Sequence, residues 1–165
     1  FERHSAGIAC YYTGTQVANH NWTKTTYYGS YPTPFYGTED KYEHPYDIRN
    51  NTNPVVNNLS GSIVGYKYFN FNSIFNKKNV SLLLNLKPEG IDGTINIMID
   101  SPWPSKGGIK VGSISVSKNM PNKVTQLRSQ LSKVNKLKGK HALFFVFSSP
   151  TTGKSICEME DFVFE

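Results

Sequence analysis

The sequence predicts an all-β protein in which two antiparallel sheets pack as a sandwich, and three observations favour that class. Apolar and polar residues alternate over short segments, most clearly at Ile95, Ile97 and Ile99. These segments are separated by clusters of Gly, Pro, Asn and Ser, which favour turns. The chain has 165 residues, of which 13% are aromatic, and it has neither a repeat nor a heptad. We therefore expect residues 1–165 to form a single β-sandwich domain with a substantial core.

The first 60 residues differ from the rest because they contain eight of the ten tyrosines and many Asn, Thr, Gly and Pro residues. Short strands are expected near residues 7–12 and 55–57. Between them, Pro32, Pro34 and the Asn-rich segment 50–54 favour turns, which indicates a long aromatic loop at about residues 13–54. A loop of this length is usually functional or braced by its own side chains.

From Gly61 onward the strand pattern is regular. The predicted strands are residues 63–71, 80–86, 94–99, 110–116, 142–147 and 161–164. The run 142–147 is apolar throughout, short, and flanked by turn residues, so we expect a strand buried on both faces.

Segment 124–134 is ambiguous. Its apolar residues have helical spacing, and they are Val124, Leu127, Leu131 and Val134. The segment nevertheless lies where a sandwich needs a strand, so we favour a strand.

Charge is distributed unevenly along the chain. Residues 1–60 carry four Lys/Arg and five Asp/Glu, whereas residues 61–165 carry fourteen and seven. Alternate strand residues face solvent, so a positive surface is expected from Lys110, Lys118, Lys123, Arg128, Lys133, Lys136, Lys138 and Lys140. Such a surface either attracts an anionic polymer, is simply solvated, or faces an acidic neighbouring domain.

Composition argues against several classes of protein. The mean hydropathy is −0.44, and no apolar window approaches the roughly 20 residues that a membrane-spanning helix needs. Phe1 is not an initiator Met, so we expect a fragment of a longer protein from which a signal segment has been removed or is absent. Neither a membrane nor a nucleic acid is an expected partner, because no recognisable nucleic-acid module carries the basic residues.

Catalytic motifs are missing as well. The four histidines have no metal-ligand spacing, and the sequence has no nucleophile elbow, phosphate-binding loop or HExxH motif. Glu158, Glu160 and Asp161 cluster on the predicted last strand, where strand pairing or metal binding explains them. We expect a non-catalytic chain.

Aromatic residues in loops are the candidate ligand-binding groups. Trp103 lies between two prolines, in a loop where a large apolar side chain has no obvious strand to pack against. Trp22, Tyr36 and Tyr42 belong to the crowded N-terminal loop, where the alternative role is a small core that holds the loop down. Trp and Tyr combine a flat apolar body with a polar tip, which suits sugar rings and protein partners alike.

Four segments in order carry a resemblance to a known family. They are 61–71 (GSIVGYKYFNF), 97–102 with 111–116 (IMIDSP and VGSISV), 139–147 (GKHALFFVF) and 161–164 (DFVF). Together they resemble the glycine-led strand, the Asp-Ser-Pro segment, the Gly-x-His-x-Leu strand and the closing strand of a family 6 carbohydrate-binding module. The resemblance covers about two thirds of the chain. It implies a galactose-binding-like jelly roll of the kind attached to secreted bacterial glycoside hydrolases, such as those of family 43.

The resemblance also implies where ligands would bind. The family stacks a sugar between a Tyr and a Trp, and the matching positions here lie near Asn57 and Asn122, with Met159 near the family's Asn. Asn57 and Asn122 are therefore candidate carbohydrate-binding residues, although neither supplies a stacking ring. The family's structural calcium would be held by Glu2 and Asp161, with His4 in place of a second Glu.

In jelly rolls the first and last strands often neighbour each other, which makes a disulfide between Cys10 and Cys157 geometrically possible. The alternative is two buried free thiols.

These expectations lead to one function and one alternative. The first is non-catalytic binding of a plant or algal polysaccharide, acidic ones included, by a monomeric module that targets an attached glycoside hydrolase. Its location would be secreted, periplasmic or on a bacterial cell surface. The alternative is a structural module that packs against the catalytic domain and has lost sugar binding.

Overall fold

The computed structural model describes residues 3–13, 16–17 and 54–165, and it places them in two antiparallel β-sheets. Four predicted site residues, Glu2, Trp22, Tyr36 and Tyr42, lie outside the described residues. The strands are β1 (Arg3–Ser5), β2 (Tyr11–Thr13), β3 (Gln16–Val17), β4 (Val55–Val56), β5 (Ile63–Asn70), β6 (Val80–Pro88), β7 (Gly93–Ile99), β8 (Ile109–Val116), β9 (Thr125–Leu131), β10 (Lys140–Ser148) and β11 (Cys157–Phe164). Within the described ranges the helical elements are short 3-10 turns, so the all-β prediction is confirmed.

The strands of the described residues form a six-stranded sheet, given first below, and a five-stranded sheet. Among the described residues, one sheet has the order β3-β4-β11-β6-β9, and β1 also pairs with β11. The second sheet has the order β2-β5-β10-β7-β8. The first strand lies beside the last through the pair Arg3 and Val163, as expected for a jelly roll. No helix of the described residues is long and apolar enough to cross a bilayer.

The core lies between the sheets and is built by alternation. On β7, Ile95, Ile97 and Ile99 are fully buried, as their spacing predicts. Aromatic rings join the two sheets: Phe162 of β11 lies 5.0 Å from Tyr66 and 5.4 Å from Phe145, both in T-shaped arrangements. Edge-to-face ring pairs of this kind add about 0.5–1.5 kcal/mol each beyond the area they bury.

Strand β10 corrects one prediction. Leu143, Phe145 and Phe147 are buried in the core, but Phe144 and Val146 on the other face are only partly buried. The strand is therefore not buried on both faces. Phe144 lines a surface groove instead.

The ambiguous segment 124–134 is a strand over Thr125–Leu131, followed by a 3-10 turn at Val134–Lys136. Pairing with β6 along the whole of β9, from Leu86 opposite Thr125 to Val80 opposite Leu131, overrides the helical spacing of the apolar residues. The eight basic residues that alternation predicted to face solvent are all exposed.

The N-terminal strand prediction is only partly correct. Residues 7–12 were expected to be one strand, but a 3-10 turn occupies Ala6–Ile8 and β2 begins at Tyr11. Ser5 caps this turn by accepting a hydrogen bond from the Gly7 amide, which competes with an extended backbone.

The two cysteines are both free. Cys10 is exposed beside the five-stranded sheet, where its amide bonds the Gly65 carbonyl. Cys157 is buried at the start of β11 in the other sheet, so both thiols are free but only one of them is buried. Burial raises the pKa of the Cys157 thiol far above its usual value, and Glu89 and Glu158 raise it further. That thiol is an unreactive core group.

Candidate functional site

An aromatic groove lies on the outer face of the five-stranded sheet, between β2, β5, β10 and the loop after β7. We call it the Trp103 groove, and its volume is about 400 Å³, within the usual range for ligand sites. Its lining includes Tyr11, Tyr68, Trp103 and Phe144. Three of these are exposed large apolar side chains: Tyr68 at 64%, Trp103 at 47% and Tyr11 at 39%. Exposed aromatic residues gathered in one concavity indicate a binding surface rather than scattered surface apolarity.

The floor of the groove depends on a glycine in the middle of a strand. Gly65 on β5 pairs with Tyr11 on one side and with Phe144 on the other. A Cβ at Gly65 would lie 2.6 Å from the Phe144 ring and 3.1 Å from the Tyr11 Cβ. The missing side chain lets the Phe144 ring lie over the strand, where it meets the Tyr11 ring edge-to-face at 6.2 Å.

A β-bulge turns Tyr68 into the groove. Between the pairs His141–Phe69 and Leu143–Tyr66, β10 advances by two residues while β5 advances by three. The extra residue shifts the alternation, so Tyr66 and Phe69 both pack toward the core while Tyr68 is exposed. Strict alternation would have put Tyr68 on the same face as Tyr66.

The loop that carries Trp103 is well braced. The Trp103 amide donates to the Ser101 hydroxyl, and the Trp103 carbonyl accepts from the amides of Lys106 and Gly108. A 3-10 turn begins at Pro104, which restricts the backbone further. A ring held this way loses little conformational freedom when a ligand binds, which favours affinity.

Polar groups stand at the edge of the groove. Asp100 lines it, and its carboxylate bonds His141 Nδ1 at 2.8 Å, while His141 Nε2 bonds the Lys138 carbonyl at 2.9 Å. Burial lowers the pKa of His141, but the bonds to Asp100 and Lys138 and the Asp100 charge outweigh it, so the pKa is raised. Lys67 adds an exposed cation to the lining. The edge thus offers both a hydrogen-bond acceptor and a donor.

This arrangement suits a ligand with apolar faces and many hydroxyl groups. Flat rings bury the apolar C–H faces of such a ligand, while Asp100, Lys67 and the tyrosine hydroxyls can bond its polar edges.

The structure separates the predicted carbohydrate-binding residues. Asn57 and Asn122 lie at one end of the six-stranded sheet, which we call the Asn57–Asn122 end; β4 and β9 are about 14 Å apart there, three strand spacings. Trp103 precedes β8 and Asn122 follows it, so the length of that strand, about 26 Å, separates them. Asn122 donates to the Pro88 carbonyl, and Asn57 is exposed in a left-handed backbone conformation. Their role in sugar binding stays a prediction.

The described residues do not fit a calcium ion. Asp161 Oδ1 accepts hydrogen bonds from Arg3 Nη1 at 2.5 Å and from Asn85 Nδ2 at 2.7 Å. Arg3 therefore brings to this carboxylate the positive charge that calcium would supply. His4 packs its ring on Phe69 at 4.8 Å, and within residues 3–13, 16–17 and 54–165 no three His, Cys, Asp or Glu side chains gather as a metal site. Glu2 lies outside those ranges.

The acidic cluster on β11 has structural surroundings. Glu158 pairs with Lys87 at 3.1 Å. Glu160 is the extra residue of a bulge between Met159 and Asp161, and burial, then Glu158 and Asp161, raise its pKa. Two explanations were predicted for this cluster, strand pairing and metal binding. The structure favours strand pairing, together with the ion pair between Glu158 and Lys87.

Sequence reasoning selected Trp103 as a candidate but did not select four other residues that line the same groove, which are Tyr11, Tyr68, Phe144 and Asp100. A signal for Phe144 was available, because a glycine at mid-strand often marks the close approach of another group. Tyr68 had no such signal, because the bulge that exposes it arises from strand register.

No protein-family model matches this sequence, and no curated protein matches it. Solved structures do match over the whole chain. A family 6 carbohydrate-binding module from Clostridium cellulolyticum, determined with xylose, is 16% identical with a TM-score of 0.63; the match covers 100% of this chain and 97% of that one. A β-1,3-glucan-binding family 6 module from Bacillus halodurans is 16% identical with a TM-score of 0.65, covering 100% and 96%.

A larger enzyme also matches. The family 43 arabinoxylan arabinofuranohydrolase from Bacillus subtilis, in complex with cellotetraose, is 17% identical with a TM-score of 0.65. The match covers 99% of this chain but 27% of that enzyme, so this chain corresponds in size to one part of it. At these identities the likeness concerns the fold, and at that level the predicted resemblance is confirmed: the chain has the β-sandwich fold of family 6 carbohydrate-binding modules.

Proposed function

We propose that this chain is a non-catalytic carbohydrate-binding module that holds a plant or algal polysaccharide in the Trp103 groove. The observation that carries the proposal is the gathering of Tyr11, Tyr68 and Trp103, all exposed, around the Phe144 floor. Exposed rings cost free energy in water unless a ligand covers them, and sugar rings have the apolar faces to do so.

The attachment and location of the module are part of the same proposal. The fold neighbours include isolated sugar-binding modules and one part of a family 43 hydrolase, which supports a module attached to a glycoside hydrolase. We accordingly propose a bacterial protein that is secreted, periplasmic or displayed on the cell surface, where polysaccharides are met. The module acts as a monomer, and acidic polysaccharides are among its candidate ligands because the chain is basic, with a net charge of +6.

Affinity gel electrophoresis on a panel of soluble polysaccharides tests the proposal. The panel contains xylan, arabinan, mixed-linkage glucan, β-1,3-glucan, alginate and polygalacturonate. At least one of them should retard the protein. Trp103→Ala should weaken that binding about 10- to 100-fold, because a central stacking ring is the type of side chain that dominates a binding site. Tyr68→Ala should weaken it less, because Tyr68 is the more exposed ring.

The matched control is the double variant Asn57→Gly with Asn122→Ala, where glycine tolerates the left-handed backbone of Asn57. It should bind as the parent does. Loss of binding in this control, with Trp103→Ala unaffected, would move the site to the Asn57–Asn122 end. If none of the polysaccharides retards the protein, the proposal is wrong. That result would favour the alternative, in which the aromatic face packs against an attached catalytic domain.

A further inference from the structure

A second groove lies at the edge of the sandwich, where β8 of one sheet meets β9 of the other. Its volume is about 510 Å³, and we call it the β8–β9 groove. Its polar lining includes Lys110, Arg128, Lys133 and the hydroxyl groups of Ser113, Ser129 and Ser132. It shares no lining residue with the Trp103 groove.

The two strands approach closely enough to bring these residues together. The Ser132 amide bonds the Val111 carbonyl at 2.8 Å, and the Ser113 amide bonds the Ser129 hydroxyl at 3.1 Å. Gly112 allows this contact, because a Cβ there would lie 2.5 Å from the Ser129 hydroxyl. Lys110 directly precedes Val111, and Lys133 directly follows Ser132. Both lysines therefore lie beside this contact.

The charges of the groove are unbalanced. Lys110 and Lys133 are exposed and form no ion pair with the described residues. Arg128 is paired with Glu165, which directly follows β11, the strand on the other side of β6 from β9. Between Ser101 and Cys157 the chain contains ten basic residues and no acidic one, so neither strand supplies a further countercharge. An anion entering the groove would meet two unpaired cations.

The rest of the lining is polar and lacks rings. Serine hydroxyls and the Gln130 side chain can bond the hydroxyl groups of a sugar. Single-stranded nucleic acids need aromatic platforms for their bases, and no aromatic ring is among the described residues that line this groove. Cations together with hydroxyl and amide groups therefore suit a charged sugar polymer better than a nucleic acid.

We propose that the β8–β9 groove is a second binding site, which takes the sulfate or carboxylate groups of an acidic polysaccharide. This site is independent of the Trp103 groove. Either can bind its ligand when the other fails, so the two proposals stand or fall separately.

The test measures binding of the whole chain to immobilised dextran sulfate, polygalacturonate and uncharged dextran. Lys110→Gln combined with Lys133→Asn removes both unpaired cations; Asn is chosen because Lys133 has a left-handed backbone, φ 70°, which Asn tolerates. The matched control is Lys118→Gln with Lys154→Gln, which removes the same charge from exposed lysines. Lys118 lies past the opposite end of β8 from Lys110, about 26 Å away.

The parent should bind at least one charged polymer and not uncharged dextran. The groove variant should bind that polymer about ten-fold more weakly and with a shallower dependence on salt, because fewer ions are released. The control variant should bind it as the parent does. Dextran sulfate and polygalacturonate distinguish sulfate from carboxylate as the preferred group.

Two results would overturn the site. One is no binding to either charged polymer, and the other is equal weakening in the control variant, which would indicate an effect of net charge alone. Unfolding temperatures within about 2 °C of the parent show that the variants are folded.

Discussion

The Trp103 groove and the Asn57–Asn122 end are built from the same sandwich but offer different chemistry. The groove gathers exposed rings over a strand that a glycine has left bare, with Asp100 at its edge. At the Asn57–Asn122 end the described residues expose Val124 as their large apolar side chain and no aromatic ring. Since ring stacking needs an exposed ring, the difference favours the Trp103 groove over the Asn57–Asn122 end as the proposed sugar site among the described residues.

The largest expected effect comes from filling the groove floor. Gly65→Ala places a Cβ 2.6 Å from the Phe144 ring, so the ring must move into the groove. We expect a loss of about 1–3 kcal/mol in the free energy of unfolding and at least about ten-fold weaker sugar binding. Thermal unfolding and affinity electrophoresis measure the two effects.

Gly93→Ala is the matched control for that variant. Its Cβ would lie 2.6 Å from the Ile156 side chain, and Ile156 bonds Asn58 at the Asn57–Asn122 end. It should lower the unfolding temperature by a similar amount and leave sugar binding intact. Equal loss of binding in both variants would contradict the contrast between the two regions.

A smaller effect concerns pH and the edge of the groove. The pKa of His141 is raised above its ordinary value of 6.5 in the folded chain. A raised folded pKa stabilises the fold fully below about pH 6.5, and this stabilisation is lost as pH rises through the folded value. The unfolding temperature should therefore fall between pH 5.5 and 8.5 because of this group.

His141→Gln and Asp100→Asn should each make the unfolding temperature depend less on pH in this range, because each removes the charge pair that holds the proton on His141. If both variants keep the slope of the parent, other groups control the pH dependence and the Asp100–His141 pair contributes little.

The smallest expected effect is that of chelation. Arg3 and Asn85 already bond Asp161, so excess EDTA should change the unfolding temperature by less than about 1 °C. Asp161→Ala, by contrast, should lower it, because Arg3 then loses its partner. A drop of several degrees with EDTA, restored by calcium, would show that Glu2 and Asp161 hold the ion after all.

Much of the fold could be predicted from local pattern. Alternation at Ile95, Ile97 and Ile99 predicted β7 correctly, because a strand with one buried face shows its period directly in the sequence. Segment 124–134 shows the limit of this signal. Its spacing favoured a helix, and pairing with β6 decided for a strand.

The candidate site was less predictable. Trp103 could be found because it lies between prolines in a loop, which is a local property. Tyr11 and Phe144 are 133 residues apart in the chain and meet across β5 only because Gly65 leaves room for them. Contacts of such long range leave no local pattern.

Local residue choice thus determined the strands, their turns and the excess of basic residues after Ser101, because each depends on neighbours a few positions away. Tertiary structure decided which aromatic rings line the Trp103 groove and which lysines line the β8–β9 groove. A single bulge in β5 turned Tyr68 outward, and the contact between the edges of two sheets placed Lys110 beside Lys133. The physical reason is strand register: one extra residue reverses the face that every later side chain occupies, and that choice is made by pairing with distant strands.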